Sequence, residues 1–69
     1  MKKLSIIKTY AEYRNSRVVE IWQENTHLAE IYIENSKVKI DFYFLNNSEI
    51  SLNLNELKEI LNNVSATDF

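Results

Sequence analysis

Aromatic and carboxylate side chains alternate through the middle of the chain in a pattern typical of a recognition surface. Tyrosine and tryptophan are enriched where proteins bind one another, and clustered carboxylates attract a basic partner. The candidate partner-binding residues are Trp22, Tyr32, Tyr43, Glu20, Glu24, Glu30, Glu34 and Asp41. The same aromatic groups also stabilise cross-strand pairs on an ordinary solvated sheet, so a purely structural role stands beside the functional one.

Cationic side chains are concentrated near the start of the chain. Residues 1–17 carry five basic side chains and one acid, whereas residues 18–69 carry three lysines and nine acids. An acidic body repels nucleic acid unless the basic segment alone makes the contact. Single-stranded nucleic-acid binding is therefore the alternative function. Its candidate residues are Lys2, Lys3, Lys8, Arg14 and Arg17.

Catalytic and metal-binding chemistry has little support in the residue types. The chain has one histidine, His27, and neither cysteine nor glycine, which excludes thiolate metal sites and glycine-rich phosphate loops. His27 falls in a predicted hairpin loop. Glu30 and Asp41 are predicted to face each other across two strands, where like-charge repulsion raises a carboxyl pKa, but an open sheet face offers no cleft. We expect no enzyme activity, no catalytic residue, no cofactor and no metal.

Period-two alternation predicts the strands that position these side chains, from residue 18 to residue 44. A two-residue turn at Asn35-Ser36 opposes each apolar residue of 29–34 to an apolar residue of 37–42. The expected pairs are Glu34 with Lys37, Ile33 with Val38, Tyr32 with Lys39, Ile31 with Ile40, Glu30 with Asp41 and Ala29 with Phe42. A slip of one residue would destroy this match, so the register is well specified.

The neighbouring segments are less strongly specified. For the preceding hairpin we predict a three-residue loop at 25–27, because it opposes Ile21 to Ile31, whereas a two-residue loop at 25–26 mixes the faces. Residues 4–13 fit a helical stripe or a strand, and their β-branched and aromatic residues favour the strand. Residues 49–52 are predicted to form a fifth strand.

The last third of the chain carries the signals of a helix. Asn53 is a good N-cap, and Glu56 stands where the reciprocal partner of a capping box belongs. An asparagine at 62 or 63 is expected to end the helix in the left-handed conformation, and residues 65–69 are expected to be frayed. The apolar stripe of the helix consists of Leu54, Leu57, Ile60, Leu61 and Val64.

A helix of this length covers one sheet face. That face is expected to consist of Val19, Ile21, Ala29, Ile31, Ile33, Val38, Ile40, Phe42 and Phe44. The opposite face, which carries the aromatic and acidic residues, is expected to remain uncovered.

These elements predict an α+β fold, an antiparallel β-meander of four to five strands with one C-terminal α-helix packed on one face. We expect a single domain over 1–69, with a basic N-terminal strand or arm at 1–17, the sheet at 18–52 and the helix at 53–64. The first apolar run, Leu4 to Ile7, is too short for a signal peptide, and no run is long enough to cross a membrane. A cytoplasmic location without a membrane partner is expected.

The hypothesis with most support is a small non-enzymatic protein-binding module, an inhibitor or regulator of a partner with a basic surface. Its small size and asparagine-rich composition favour a phage or mobile-element product that is directed at a host or defence nucleic-acid enzyme. A homodimer through the aromatic face is a further hypothesis. The strand followed by a capped helix in "ISLNLNELKEIL" resembles the transcriptional-coactivator type of single-strand DNA-binding module, and this resemblance implies the nucleic-acid alternative.

Overall fold

Four antiparallel strands lie in sequence order in one sheet of the computed structural model, which describes residues 3–43 and 51–69. The strands are β1 (Leu4–Ala11), β2 (Ser16–Gln23), β3 (Thr26–Glu34) and β4 (Lys37–Phe42). An α-helix, α1 (Leu54–Asn63), and a short 3-10 helix (Ala66–Asp68) follow them. The α+β meander is confirmed. Of the predicted fifth strand, residues 49–50 lie outside the described residues, and Ser51 and Leu52 are not in a strand.

The turns are built without glycine, so other residues take the positive φ angles. Asn15 has φ 54° after a short 3-10 helix (Glu12–Arg14), and Glu24 has φ 52° between β2 and β3. Asn35 and Ser36 have φ 52° and 65°, the two consecutive positive values of a type I′ turn. Asparagine tolerates this region better than other residues with a side chain, as the sequence pattern indicates.

The register between β3 and β4 is confirmed pair by pair, from Glu34 with Lys37 to Ala29 with Phe42. The register between β2 and β3 was predicted wrongly. The strands join through a two-residue turn at 24–25, and Ile21 lies opposite Ala29 rather than Ile31. The pairing shifts after Ile21, which leaves Leu28 as the extra residue of a β-bulge. The bulge lets Leu28 and Ala29, adjacent in sequence, both be buried.

The core on the helix side of the sheet is smaller than the sequence predicts. Its buried residues are Leu4, Val19, Ile21, Leu28, Ala29 and Ile31, and the residues packed against them are Ile40, Leu52, Leu57, Ile60, Val64 and Phe69. Val38 and Phe42 were predicted to be covered but are 53% and 45% exposed. The C-terminal elements contact β1 and β2, so the β4 side of this face is left as a shallow groove of about 160 Å³ beside Leu61. Phe44 lies outside the described residues.

The start of α1 follows the prediction in part. The side chain of Asn53 accepts a hydrogen bond from the backbone N–H of Glu56 at 3.1 Å, which confirms the N-cap. The Glu56 carboxylate does not close a capping box, because it accepts from the backbone N–H of Leu4 at 3.3 Å. This bond attaches the helix to the first strand. Neither α1 nor any other helix in the described ranges has the length and apolar character needed to cross a membrane.

The segment after α1 is ordered against the sheet, so the expectation that it frays is wrong. Val64 follows the helix in extended conformation, not an asparagine in left-handed conformation. Asp68 accepts from Lys8 Nζ at 2.8 Å and from the Ser65 backbone, and Phe69 packs on the core. The hydrogen bond from Lys8 lowers the pKa of Asp68, with the Ser65 N–H adding to the effect.

Ser36→Gly tests the cost of a serine side chain in the left-handed region. We expect it to raise the free energy of unfolding by up to about 1 kcal/mol, because the relief of the Cβ clash at this φ outweighs the entropy that glycine adds to the unfolded chain. The matched control is Ser5→Gly in exposed, extended backbone of β1, which should lower the free energy of unfolding by roughly 0.5–1 kcal/mol. Urea unfolding measures both. A lower midpoint for Ser36→Gly would contradict the type I′ assignment.

Candidate functional site

The sheet face opposite the helix is partly covered, which corrects the prediction of an open face. The 3-10 helix Glu12–Arg14 between β1 and β2 carries Tyr13 and Arg14 over β3 and β4. Beneath them Glu30 is 1% exposed and Tyr32 is 7% exposed. Val18 and Ala11 are buried with Tyr32 in a small second core on this side. The side chains of Ala11, Val18, Glu30 and Tyr32 therefore form a packed, buried layer on this face, which we call its packed floor.

Arg14 is the centre of the contacts on this face. Its Nε donates to Glu30, its Nη2 donates to Asp41 at 2.9 Å, and its Cζ lies 3.5 Å from the centroid of the Tyr32 ring. The Tyr32 hydroxyl donates to the other Asp41 oxygen at 3.0 Å. The Tyr13 hydroxyl donates to Glu30. One guanidinium thus joins two carboxylates and one aromatic ring.

The network lowers the pKa of Asp41, whereas the sequence-based expectation was a raised carboxyl pKa. The hydrogen bond from Arg14, followed by that from Tyr32, lowers the pKa of Asp41. Like-charge repulsion with Glu30 was expected to raise a carboxyl pKa, but the guanidinium lies between the two acids. The hydrogen bond to Asp41 raises the pKa of Tyr32. Local desolvation of the hydroxyl together with the bond to Glu30 raises the pKa of Tyr13, although the residue as a whole is largely exposed.

A pocket of about 500 Å³ lies beside this network. We call it the acidic pocket, and it is lined by Tyr13, Glu20, His27, Glu30 and Tyr43. The two-residue turn at 24–25 places His27 in β3, directly opposite Trp22, and so contributes the imidazole to the pocket lining. Carboxylates, an imidazole and phenol rings thus converge on one small volume.

Neighbouring groups hold the side chains of the acidic pocket in place. The Trp22 ring stacks on His27 with centroids 4.8 Å apart and an interplanar angle of 6°, and Tyr43 meets His27 edge-on at 5.0 Å. The Trp22 indole N–H donates to Glu20 at 3.1 Å. His27 Nε2 lies 3.1 Å from the carbonyl oxygen of Ala29.

The structure distributes the eight predicted partner-binding residues over four environments. Glu20, Trp22, Glu30 and Tyr43 lie in or beside the acidic pocket. Tyr32 and Asp41 belong to the Arg14 network. Glu34 pairs with Lys39 at 2.7 Å, and Glu24 is exposed in the turn between β2 and β3.

The predicted basic residues that the structure describes do not form one surface. Lys8 pairs with Asp68 on the helix side, and Arg14 pairs with acids on the other side. Lys3 and Arg17 are exposed, and Lys2 lies outside the described residues.

Sequence reasoning missed Tyr13 and His27 as members of the site. His27 was assigned to a loop because a three-residue loop at 25–27 was predicted in place of the two-residue turn at 24–25 and the bulge at Leu28. For Tyr13 and Arg14 a signal existed: the pairing that places Glu30 opposite Asp41 requires a cation nearby, and Tyr13-Arg14 stands directly before a predicted turn.

Comparison with protein-family models, with characterised proteins and with solved structures finds no match to this chain.

Removing the Arg14 charge should strongly destabilise the fold. Arg14→Leu leaves the buried Glu30 carboxylate without its cation, and breaking a buried pair in this way costs about 3–5 kcal/mol of unfolding free energy. Arg17→Leu, which removes an exposed arginine three residues away, should change it by no more than about 0.5 kcal/mol. Urea unfolding followed by circular dichroism measures both. The double variant Arg14→Leu/Glu30→Leu should recover much of the loss, and a double variant no more stable than Arg14→Leu would contradict the pairing.

Acid should weaken the fold through Asp41. Because its pKa is lower in the folded state than in the unfolded state, its contribution is complete above the ordinary aspartate pKa and is lost as pH falls through the lowered value. Unfolding free energies measured between about pH 7 and pH 2 should therefore fall less steeply for Asp41→Asn than for the wild-type chain. Equal slopes for the two proteins would show that Arg14 does not favour the ionised carboxylate.

Proposed function

We propose that this chain is a small non-enzymatic protein-binding module that engages a basic surface of another protein through the acidic pocket and its rim. The observation that carries the proposal is the composition of the pocket, in which two carboxylates lie between phenol and imidazole rings. A lysine ammonium or an arginine guanidinium gains charge-assisted hydrogen bonds from carboxylates and cation–π attraction from aromatic faces. The volume of about 500 Å³ accommodates one such side chain.

Two features of the structure indicate that the acidic pocket is preorganised for binding. Hydrogen bonds from Tyr13 and Arg14 hold the Glu30 carboxylate, and ring contacts with Trp22 and Tyr43 hold the His27 imidazole. Side chains that are already ordered lose little entropy on binding, which increases affinity. Tyr13 is 72% exposed, so its ring offers a large aromatic surface at the rim. Half-buried Trp22 and Tyr43 extend that surface along the sheet.

We further propose that the bound partner is inhibited or regulated, and that it is a host or defence enzyme that acts on nucleic acid. Glu20, Glu30 and Asp41 lie directly opposite one another across three strands, which gives a row of carboxylates spaced about 5 Å apart. Arg14 neutralises part of this row, so Glu20 at its end supplies the negative charge nearest the rim. A basic groove that normally holds phosphates would accept such a surface. The proposal places the protein in the cytoplasm, as a product of a phage or mobile element.

The placement of the basic residues favours this function over nucleic-acid binding. Lys8 and Arg14 neutralise acids of their own chain on opposite sides of the sheet, so they do not track one nucleic-acid backbone. A second copy of the chain is the other candidate occupant of the aromatic rim, and the mass in solution distinguishes it.

The experiment uses the purified chain as bait in extracts of candidate host cells, with chemical cross-links that map the contact. We expect the same basic protein to be retained by the wild type and by two matched controls, Tyr10→Ala and Glu59→Gln, which change exposed residues on β1 and α1. Tyr43→Ala and Glu20→Gln should lose it, with unchanged circular dichroism and melting. Cross-links should fall at the rim of the acidic pocket.

Three results would overturn the proposal. Retention of the partner by Tyr43→Ala and Glu20→Gln would place the contact elsewhere on the chain. Retention of a single-stranded oligonucleotide at low salt, lost steeply as salt rises, would favour the nucleic-acid alternative. A concentration-dependent dimer mass by light scattering that falls to a monomer in Trp22→Ala would mean that the aromatic rim binds a second copy.

A further inference from the structure

We propose that Glu20, His27 and Glu30 form a binding site for a divalent transition-metal ion, with Zn²⁺ the best matched. One nitrogen of the imidazole and one oxygen of each carboxylate lie within 4.8 Å of one another, at the wall of the acidic pocket. Imidazole and carboxylate are ordinary zinc ligands, and three protein ligands with a remaining position open to water is a common zinc arrangement. The three side chains come from the adjacent strands β2 and β3.

Each proposed ligand is held by a second group, as metal ligands in proteins usually are. The Trp22 indole N–H donates to Glu20 at 3.1 Å, and Tyr13 and Arg14 donate to Glu30. His27 Nε2 lies 3.1 Å from the Ala29 carbonyl oxygen, which only accepts, so this nitrogen carries the proton. In the neutral imidazole Nδ1 then has the lone pair that a metal requires. Stacking on Trp22 fixes the plane of the ring.

The charge distribution around the site also calls for a cation. Glu20 lies directly opposite Glu30 in the β2–β3 pairing, and like charges in directly opposed positions destabilise a sheet. The guanidinium of Arg14 is shared between Glu30 and Asp41. A divalent ion between Glu20 and Glu30 would remove this repulsion. Each Glu30 oxygen accepts one hydrogen bond in the structure and has a second lone pair for the metal.

The zinc site does not depend on the proposed protein-binding function, because it is tested with the metal alone. Zinc and a cationic side chain of a partner would use the same carboxylates, so the two occupants exclude each other from the pocket.

The test is calorimetric titration of Zn²⁺ into the untagged chain, freed of metal by a chelator that is then removed. An affinity tag would add histidines, whereas the chain has only His27. We expect one zinc per chain, and a more than tenfold loss of affinity in Glu20→Gln and in His27→Gln. Glu34→Gln is the matched control, since Glu34 lies on β3 and pairs with Lys39, and it should bind as the wild type does. Zinc should also shift the His27 ring signals in the NMR spectrum.

The variant Trp22→Phe distinguishes coordination of zinc by Glu20 from a general attraction of the ion to the acidic surface. It keeps an aromatic ring against His27 and removes the N–H that orients Glu20, so affinity should fall by roughly tenfold. Two results would overturn the proposal. One is that the folded wild-type chain binds no zinc when zinc is in about 100-fold molar excess over the chain. The other is that a folded His27→Gln variant still binds zinc as the wild type does. Circular dichroism of each variant verifies the fold.

Discussion

The carboxylate of Glu30 lies almost completely inside the molecule, and a charge in that position is tolerated only with a partner. Arg14 supplies the partner from the turn between the first two strands, and Tyr13 beside it satisfies a second lone pair. The same guanidinium reaches Asp41 on the last strand, so a single cation connects β3, β4 and the connection from β1 to β2. The packed floor of the acidic pocket depends on this contact. Without it, the sheet would hold adjacent acids with no cation between them.

The absence of glycine imposes a second constraint on the fold. Every sharp change of chain direction in the sheet places a residue with a side chain at positive φ. Such a conformation persists where the surroundings enforce it. The strand pairs on both sides of each turn provide that enforcement, and the turn at 24–25 brings His27 into line with Trp22. The conformation of this turn therefore determines that His27 and Trp22 lie next to each other beside the acidic pocket.

The parts of the structure that sequence reasoning predicted are those with purely local causes. The turn at Asn35-Ser36 and the β3–β4 register follow from alternation and an asparagine, and the cap at Asn53 follows from one side chain. The β2–β3 register could not be predicted in the same way, because the bulge at Leu28 breaks the alternation that the inference assumes. The positions of Tyr13 and Arg14 were missed because they depend on acids that lie 16 or more residues later in the chain. Three of the five residues that line the acidic pocket were thus predicted to share one sheet face, but the geometry of the pocket was not predicted.

The attachment of the C-terminal segment to β1 has a consequence for how the chain folds. Its bonds join Leu4 to Glu56 and Lys8 to Asp68, residues separated by 52 and 60 positions. The hairpins, in contrast, pair residues that are close in sequence, and local contacts of this kind form with little loss of loop entropy. During synthesis the sheet can therefore pair while its apolar face has no cover. That face is covered only once α1 and the segment that follows it have been synthesised and can pack on the sheet.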